Sequence, residues 1–133
     1  MIIELEKEKL DLLDSSFIDK EYIEKELSSN PYAKILLYIE KKEIVGYLYY
    51  SDIYERAEIN QIEVENSHRN CGLGTKLMDY FTKTVDKDIT LEVREDNISA
   101  LKLYKKFGFN KTAIRKGYYK GVDGILMERK IHK

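Results

Sequence analysis

The sequence predicts a mixed α/β fold in which helices pack on a central sheet, and three observations predict it. Apolar residues recur at i, i+4 spacing over Leu73, Leu77, Phe81 and Val85, one core-facing stripe of a helix. Two strand-like runs, 33–40 and 43–51, flank the two-residue Lys41-Lys42 turn, the pattern of an antiparallel hairpin. After residue 57, strand-like and helix-like segments alternate, which places helices against a shared sheet.

In chain order, Met1–Leu5 is a short first strand. Helical spacing follows in Leu10, Leu13 and Phe17, and again in Tyr22, Ile23, Glu26 and Leu27, ending near Ser28-Ser29-Asn30-Pro31. The hairpin is rich in Ile, Leu and Tyr on its first strand, with Val45, Tyr47 and Tyr49 on its second. Residues 58–65 form a further strand, 71–86 a helix, and Ile89–Val93 a buried strand. Over 97–107 a helix carries Ala100, Leu103, Tyr104 and Phe107 on one side and stops at Gly108. The last two strands, 111–119 and 125–131, are joined through Gly121-Val122-Asp123-Gly124. The predicted order is β-α-α-β-β-β-α-β-α-β-β.

At 133 residues the chain is expected to form one domain, residues 1–133. With 43% hydrophobic and 35% charged residues it reads as an ordinary globular protein. No apolar run approaches the roughly 20 residues needed to span a bilayer, so no membrane partner is expected. The start, Met1-Ile2-Ile3-Glu4-Leu5-Glu6, has acidic residues where a signal peptide needs basic ones, so the expected location is cytoplasmic. The lone Cys71 excludes an intramolecular disulfide and a Cys-based metal cage, and no metal site is visible.

Net charge is −1 but uneven. Residues 1–66 carry 8 Lys/Arg against 16 Asp/Glu, and residues 67–133 carry 15 against 8. Such asymmetry suits two ligands of opposite sign meeting two sides of one molecule. The basic residues are scattered and the pI is near 6.2, so no nucleic-acid partner is expected.

The most informative stretch is the strand-loop-helix junction at Arg69-Asn70-Cys71-Gly72-Leu73-Gly74. Two glycines there uncover successive backbone N–H groups at a helix N-terminus, where the helix dipole favours anions. The junction has the makings of a pyrophosphate cradle. It lacks the third glycine of a dinucleotide fingerprint and the Walker spacing, and alone it is equally a tight strand-to-helix turn.

Three motifs together resemble the GNAT superfamily of acetyl-CoA-dependent N-acetyltransferases. They are the Arg-x-x-Gly-x-Gly loop at 69–74, Leu91-Glu92-Val93-Arg94 followed by Asn97, and Ala100-Leu101-Lys102-Leu103-Tyr104 followed by Gly108-Phe109. The last two, with Ile114-Arg115-Lys116-Gly117-Tyr118-Tyr119 and Asp123-Gly124, are similar to the branch of ribosomal-protein-alanine N-acetyltransferases. The resemblance is close over about residues 56–131 and loose before. It implies the GNAT fold, a mixed central sheet of about six to seven strands flanked by four helices.

The resemblance also implies roles. Backbone groups of Arg69, Asn70, Cys71, Gly72, Leu73, Gly74 and Thr75 would hold the coenzyme A pyrophosphate, with Lys76 and the basic half aiding neutralisation. The pantetheine arm would run along Ile62, Glu63 and Val64 like an added strand. Asn97 would contact that arm besides capping its helix. Glu92 would be the general base and Tyr104 the acid beside the leaving thiolate, in direct transfer within a ternary complex. Glu63 departs from the small or apolar residue many relatives carry there, and can face the acceptor instead. Glu58 is an alternative base. The implied acceptor is the N-terminal amine of a protein or peptide, a ribosomal protein's N-terminal alanine first, with the acidic first half suited to a basic peptide. The first helices look shorter than in the best-known members of that branch. The enzyme would be a monomer or weak dimer. Rival readings are acetylation of a lysine or small amine and a non-catalytic coenzyme A-binding module; neither His68 nor His132 has a motif that would make it a base for a covalent route, so Cys71 reads as a small residue in a phosphate loop.

Overall fold

The computed structural model describes residues 1–6, 17–68 and 71–131. The predicted helix through Leu10 and Leu13 lies outside the described residues, as do Arg69 and Asn70 of the glycine loop. The described elements are β1 (Ile2–Glu4), α1 (Lys20–Ser29), β2 (Ala33–Glu40), β3 (Glu43–Ile53), β4 (Arg56–Val64), α2 (Leu73–Thr84), β5 (Asp88–Arg94), α3 (Ile98–Lys106), β6 (Asn110–Tyr119) and β7 (Val122–Arg129), with a short 3-10 turn at Asn66–His68. Seven strands form one sheet in the order β1-β2-β3-β4-β5-β7-β6. Among the described residues, only β4 and β5 pair parallel. The predicted mixed sheet of six to seven strands is therefore seven, with three helices among the described residues.

The β2–β3 turn puts Lys41 and Lys42 at φ 49° and 68°, the conformation that matches strand twist in a two-residue hairpin. The run Ile35–Tyr38 is buried throughout because each face of β2 meets a core. Leu36 and Tyr38 join one cluster with the α2 residues Leu73, Leu77, Met78 and Phe81. Ile35 and Leu37 join the other with Ile23 and Leu27 of α1 and with Tyr47 and Tyr49 of β3. Burying each such side chain contributes roughly 1.5–3 kcal/mol, so the α2 stripe alone supplies roughly 6–12 kcal/mol before entropy is charged.

On the far half of the sheet, Ile89, Leu91 and Val93 point into the α2–α3 cluster, and Thr90 and Glu92 alternate to the opposite face. The last hairpin differs from expectation. β7 begins at Val122, so Asp123 and Gly124 lie in the strand and the turn is at Lys120-Gly121. An irregularity in β6 between Arg115 and Tyr119 takes up the slack, with Gly117 at φ 61° and its N–H donating to Asp123 Oδ1 at 2.9 Å.

The sheet opens where β4 and β5 stop pairing. Pairing of β4 with β5 runs from Arg56/Asp88 to Ile59/Leu91 and then ends. Beyond it, Gln61–Val64 continue beside β3 and Glu92–Arg94 beside β7, so the two strands part. The parting begins at a bulge, where Tyr49 pairs Gln61 but Tyr50 pairs Ile59, leaving Asn60 extra. A chain of hydrogen bonds holds the bulge. Asn60 Oδ1 accepts from Ser51 Oγ at 2.7 Å, and Asn30 Nδ2 donates to Ser51 Oγ and Tyr49 Oη, each at 2.9 Å. Tyr49 Oη in turn donates to Glu26 Oε1 at 3.1 Å.

Candidate active site

Two clefts meet at the parting strands. The first, about 570 Å³, is lined by Ile62, Glu63 and Val64 of β4, by His68, by Gly72–Thr75 at the start of α2, and by Asn97, Ser99, Ala100, Lys102, Leu103 and Lys106 along α3. Gly72 is the N-cap of α2 at φ 78° and offers no side-chain cap. The first N–H groups of a helix have no intrahelical acceptor, so those of Leu73, Gly74 and Thr75 stand open at the positive end of a 12-residue helix. Leu73 supplies only backbone here, its side chain being buried in the core. A Cβ on Gly74 would touch Leu103 Cδ2 at 3.5 Å, so α2 and α3 approach closely there. Cys71 is exposed beside the cradle, and Lys102 and Lys106 add positive charge along the groove. His68 sits between Glu40 and Glu65, with Nε2 and Nδ1 at 3.5 and 3.2 Å from their carboxylates.

Asn97 caps α3 as expected, its Oδ1 accepting from Ala100 N at 3.2 Å. It lines both clefts.

The second cleft, about 810 Å³, lies on the other side of the parting. It is lined by Phe17, Asp19 and Tyr22 at the entry to α1, by Tyr47 of β3, and by Asn60–Glu63 of β4. Glu92–Arg94 of β5, Asn97, Ala100 and Tyr104 near and on α3, and Tyr119 of β6 complete it. Ile62, Glu63, Asn97 and Ala100 are common to both clefts. The family resemblance implies a place for Tyr104 beside the coenzyme arm as well as an acid role. The structure puts it on the second cleft's lining and not on the first's.

Tyr104 is 6% exposed, with its ring 5.7 Å from that of Phe109. Burial, and then the Glu63 charge, push its hydroxyl up to about 12. Tyr47 is raised further by burial, then by Glu63, Tyr22 and Asp19. Glu92 keeps one carboxylate oxygen, Oε2, buried without a hydrogen bond, 3.5 Å from Arg115 Nε. A Cβ on Gly124 would overlap that oxygen, so glycine at this point of β7 leaves room for the carboxylate. Glu92 also borders a hollow of about 390 Å³ with Glu58, Thr90, Arg115 and Tyr119. Glu58 shares that hollow with Glu92, but of the two only Glu92 also lines the second cleft.

Arg115, Gly124, Asn60 and the Asp19–Tyr22–Tyr47 wall escaped the sequence reading as site residues. Arg115 and Gly124 lie in the segments that resemble the family, and Asp19 is a side chain of N-cap type before a helix, its Oδ1 accepting from Tyr22 N at 3.2 Å.

A strand that parts from its parallel neighbour, a glycine-capped helix and a groove leading to a buried tyrosine meet where the two clefts join. A family model described as Acetyltransferase (GNAT) family matches residues 2–109. The chain belongs to the GNAT acetyltransferase family. It is 36% identical over 111 residues to a Bacillus subtilis protein provisionally named [ribosomal protein bS18]-alanine N-acetyltransferase, covering 77% of this chain and 72% of that one. It is 33% identical over 76 residues to the [ribosomal protein bS18]-alanine N-acetyltransferase of Escherichia coli K12, covering 54% of this chain and 51% of that one. The chain thus spans about half the length of the E. coli relative. Among solved structures, the E. coli ribosomal-protein-S18-alanine N-acetyltransferase superposes with a TM-score of 0.83 at 22% identity, covering 100% of this chain and 94% of that one. A GNAT acetyltransferase from Elizabethkingia anophelis with acetyl-CoA bound superposes with a TM-score of 0.78 at 24% identity, covering 98% and 97%. At those identities the likeness shows the fold alone. Membership makes the chain an N-acetyltransferase of the GNAT type, a family that uses acetyl-CoA. Among the described residues, no helix is long and apolar enough to cross a membrane.

Proposed function

We propose that this chain acetylates the N-terminal amine of a protein, a ribosomal protein's N-terminal alanine being the first acceptor to test. The observation that carries the transfer reaction is the meeting of the two clefts at Ile62, Glu63, Asn97 and Ala100, with Glu92 and Tyr104 both on the second. The relatives' names supply the acceptor class.

The residues present fit acetyl-CoA. The open N–H groups at Leu73–Thr75 suit its pyrophosphate, and the part of β4 that has left β5, Ile62–Val64, suits an extended amide-bearing arm. When bound, its thioester supplies an activated acetyl carbonyl and a thiolate leaving group. Arg69 and Asn70 belong to the same proposed cradle. Glu92 takes the proton from the acceptor ammonium. An α-amino group near 8 makes that modest work for a carboxylate, whereas a lysine near 10.4 would demand a higher working pH. Arg115 and the space left by Gly124 keep the Glu92 carboxylate on the acceptor side.

Tyr104 works as a hydrogen-bond donor. Its hydroxyl, at about 12, lies some 3.5 units above an ordinary thiol near 8.5, so outright proton transfer to sulfur is uphill by roughly 5 kcal/mol. A neutral phenol aimed at developing negative charge gives up no proton and still stabilises the transition state.

The test is intact-mass detection on two peptides, with and without acetyl-CoA. One begins with free alanine and contains no lysine, and the other has a blocked N-terminus and one internal lysine. Acetylation of the first alone supports the proposal. Acetylation of the second alone moves the chain to lysine acceptors.

A further inference from the structure

We propose that Lys106 reads the 3′-phosphate at the adenosine end of coenzyme A, so that the first cleft takes coenzyme A in preference to its dephospho form, while Lys102 serves the pyrophosphate. The inference rests on the acetyl-CoA reading above and names the residue that selects the carrier.

Ser99, Lys102 and Lys106 follow one another at i, i+3 and i+7 along α3, one line on the helix face that borders the first cleft. That line gives the cleft a direction. Its Asn97–Ala100 end is where the second cleft meets it. Further along, α3 meets the start of α2, where a Cβ on Gly74 would lie 3.5 Å from Leu103 Cδ2. Lys106 is a turn beyond Leu103 and about 14 Å along the helix axis from Asn97, at a rise of about 1.5 Å per residue. A carrier with its thioester at the junction and its pyrophosphate on the open N–H groups of Leu73–Thr75 would have its far end beside Lys106.

The carboxylates of the cleft lie elsewhere. Glu63 belongs to the junction end, since it lines both clefts, whereas Lys102 and Lys106 line the first alone. Glu40 and Glu65 hold His68. Lys102 and Lys106 are exposed, and among the described residues no carboxylate pairs with either, while Lys83 and Lys130 pair with Asp79 and Asp88. Two like charges four residues apart on a helix repel, and an anion beside them reverses the sign. The helix dipole favours a cation in the last turn, but Lys105 supplies one there without lining the cleft. Lys106 faces the groove instead. A phosphate monoester carries a charge of about −1.5 to −2 at pH 7, and a lysine binds it as a point charge.

The experiment titrates the whole chain with coenzyme A and with dephospho-coenzyme A by calorimetry at low ionic strength, and repeats both in Lys106→Gln, Lys102→Gln and Lys105→Gln. Wild type is expected to bind coenzyme A at least about fivefold tighter, in keeping with one lysine–phosphate pair at an exposed site. In Lys106→Gln the ratio falls below about twofold. Lys102→Gln weakens both ligands alike, because both carry the pyrophosphate, and Lys105→Gln changes neither. Each lysine is exposed and Gln is a good helix former, so the urea midpoints of the variants match wild type. Equal affinities in wild type, a ratio unchanged in Lys106→Gln, or an equal fall in Lys102→Gln or Lys105→Gln overturns the proposal and leaves the acetyl-CoA reading standing. Binding of neither ligand overturns both.

Discussion

Replacing Tyr104 by Phe removes one oxygen and little else. The ring keeps its 5.7 Å neighbour Phe109 and its place in a core where the residue is 6% exposed, so stability near neutral pH should change by less than about 1 kcal/mol. Losing one donor aimed at developing charge typically costs about 10²–10³ in turnover. The same geometry makes a pH prediction. A phenol raised to about 12 is protonated at every pH where the enzyme is assayed, so Tyr104 contributes no alkaline limb below about pH 11, and the Phe variant's deficit is constant from pH 6 to 10. Stability follows with the opposite emphasis. Because the folded pKa exceeds the unfolded value of 10.0, Tyr104 contributes nothing adverse below pH 10, and the native state loses stability progressively from there to about 12. Two units amount to roughly 2.7 kcal/mol, which Tyr104→Phe should retain in urea melts at pH 11–12. Product should be followed as acetyl-peptide by mass, because the exposed Cys71 reacts with thiol reagents. Turnover within threefold of wild type, or a wild-type alkaline limb near pH 8–9 that vanishes in the variant, would refute this reasoning.

Three further outcomes are expected. Glu92→Gln should cut kcat by about 10²–10⁴ while acetyl-CoA affinity by calorimetry stays unchanged, because Glu92 does not line the first cleft. Gly72→Ala meets nothing within 4 Å, so its cost is the left-handed backbone alone, roughly 1–2 kcal/mol, and acetyl-CoA dissociation should rise several-fold; an unchanged Kd would remove the cradle from cofactor binding. Exchanging Lys41-Lys42 for Asn-Gly suits the positive φ values of 49° and 68° and should raise stability by about 0.5–1 kcal/mol, a few degrees in Tm.

Local signals were strong where one element decides its own structure. The hairpin at 33–53, the i, i+4 stripe of α2, the Asn97 cap and the Gly108 stop were all legible, because period, caps and turn residues act within a few positions. The last turn was misplaced because Gly121-Val122-Asp123-Gly124 reads equally as loop or strand. Pairing with both β5 and β6 drew Asp123 and Gly124 into β7.

The chemistry divides in the same way. By itself the sequence determined the family, the alternation that sends Glu92 away from the core, and the open helix start at Gly72, each a property of adjacent residues. The tertiary structure alone decided that β4 parts from β5 at Asn60, that Ser51 and Asn30 hold that bulge from other elements, and that Arg115 and Gly124 seat Glu92. It also decided that Glu63 faces both clefts. These depend on pairing partners 9 to about 30 residues apart, and no local rule of propensity or periodicity reaches that far.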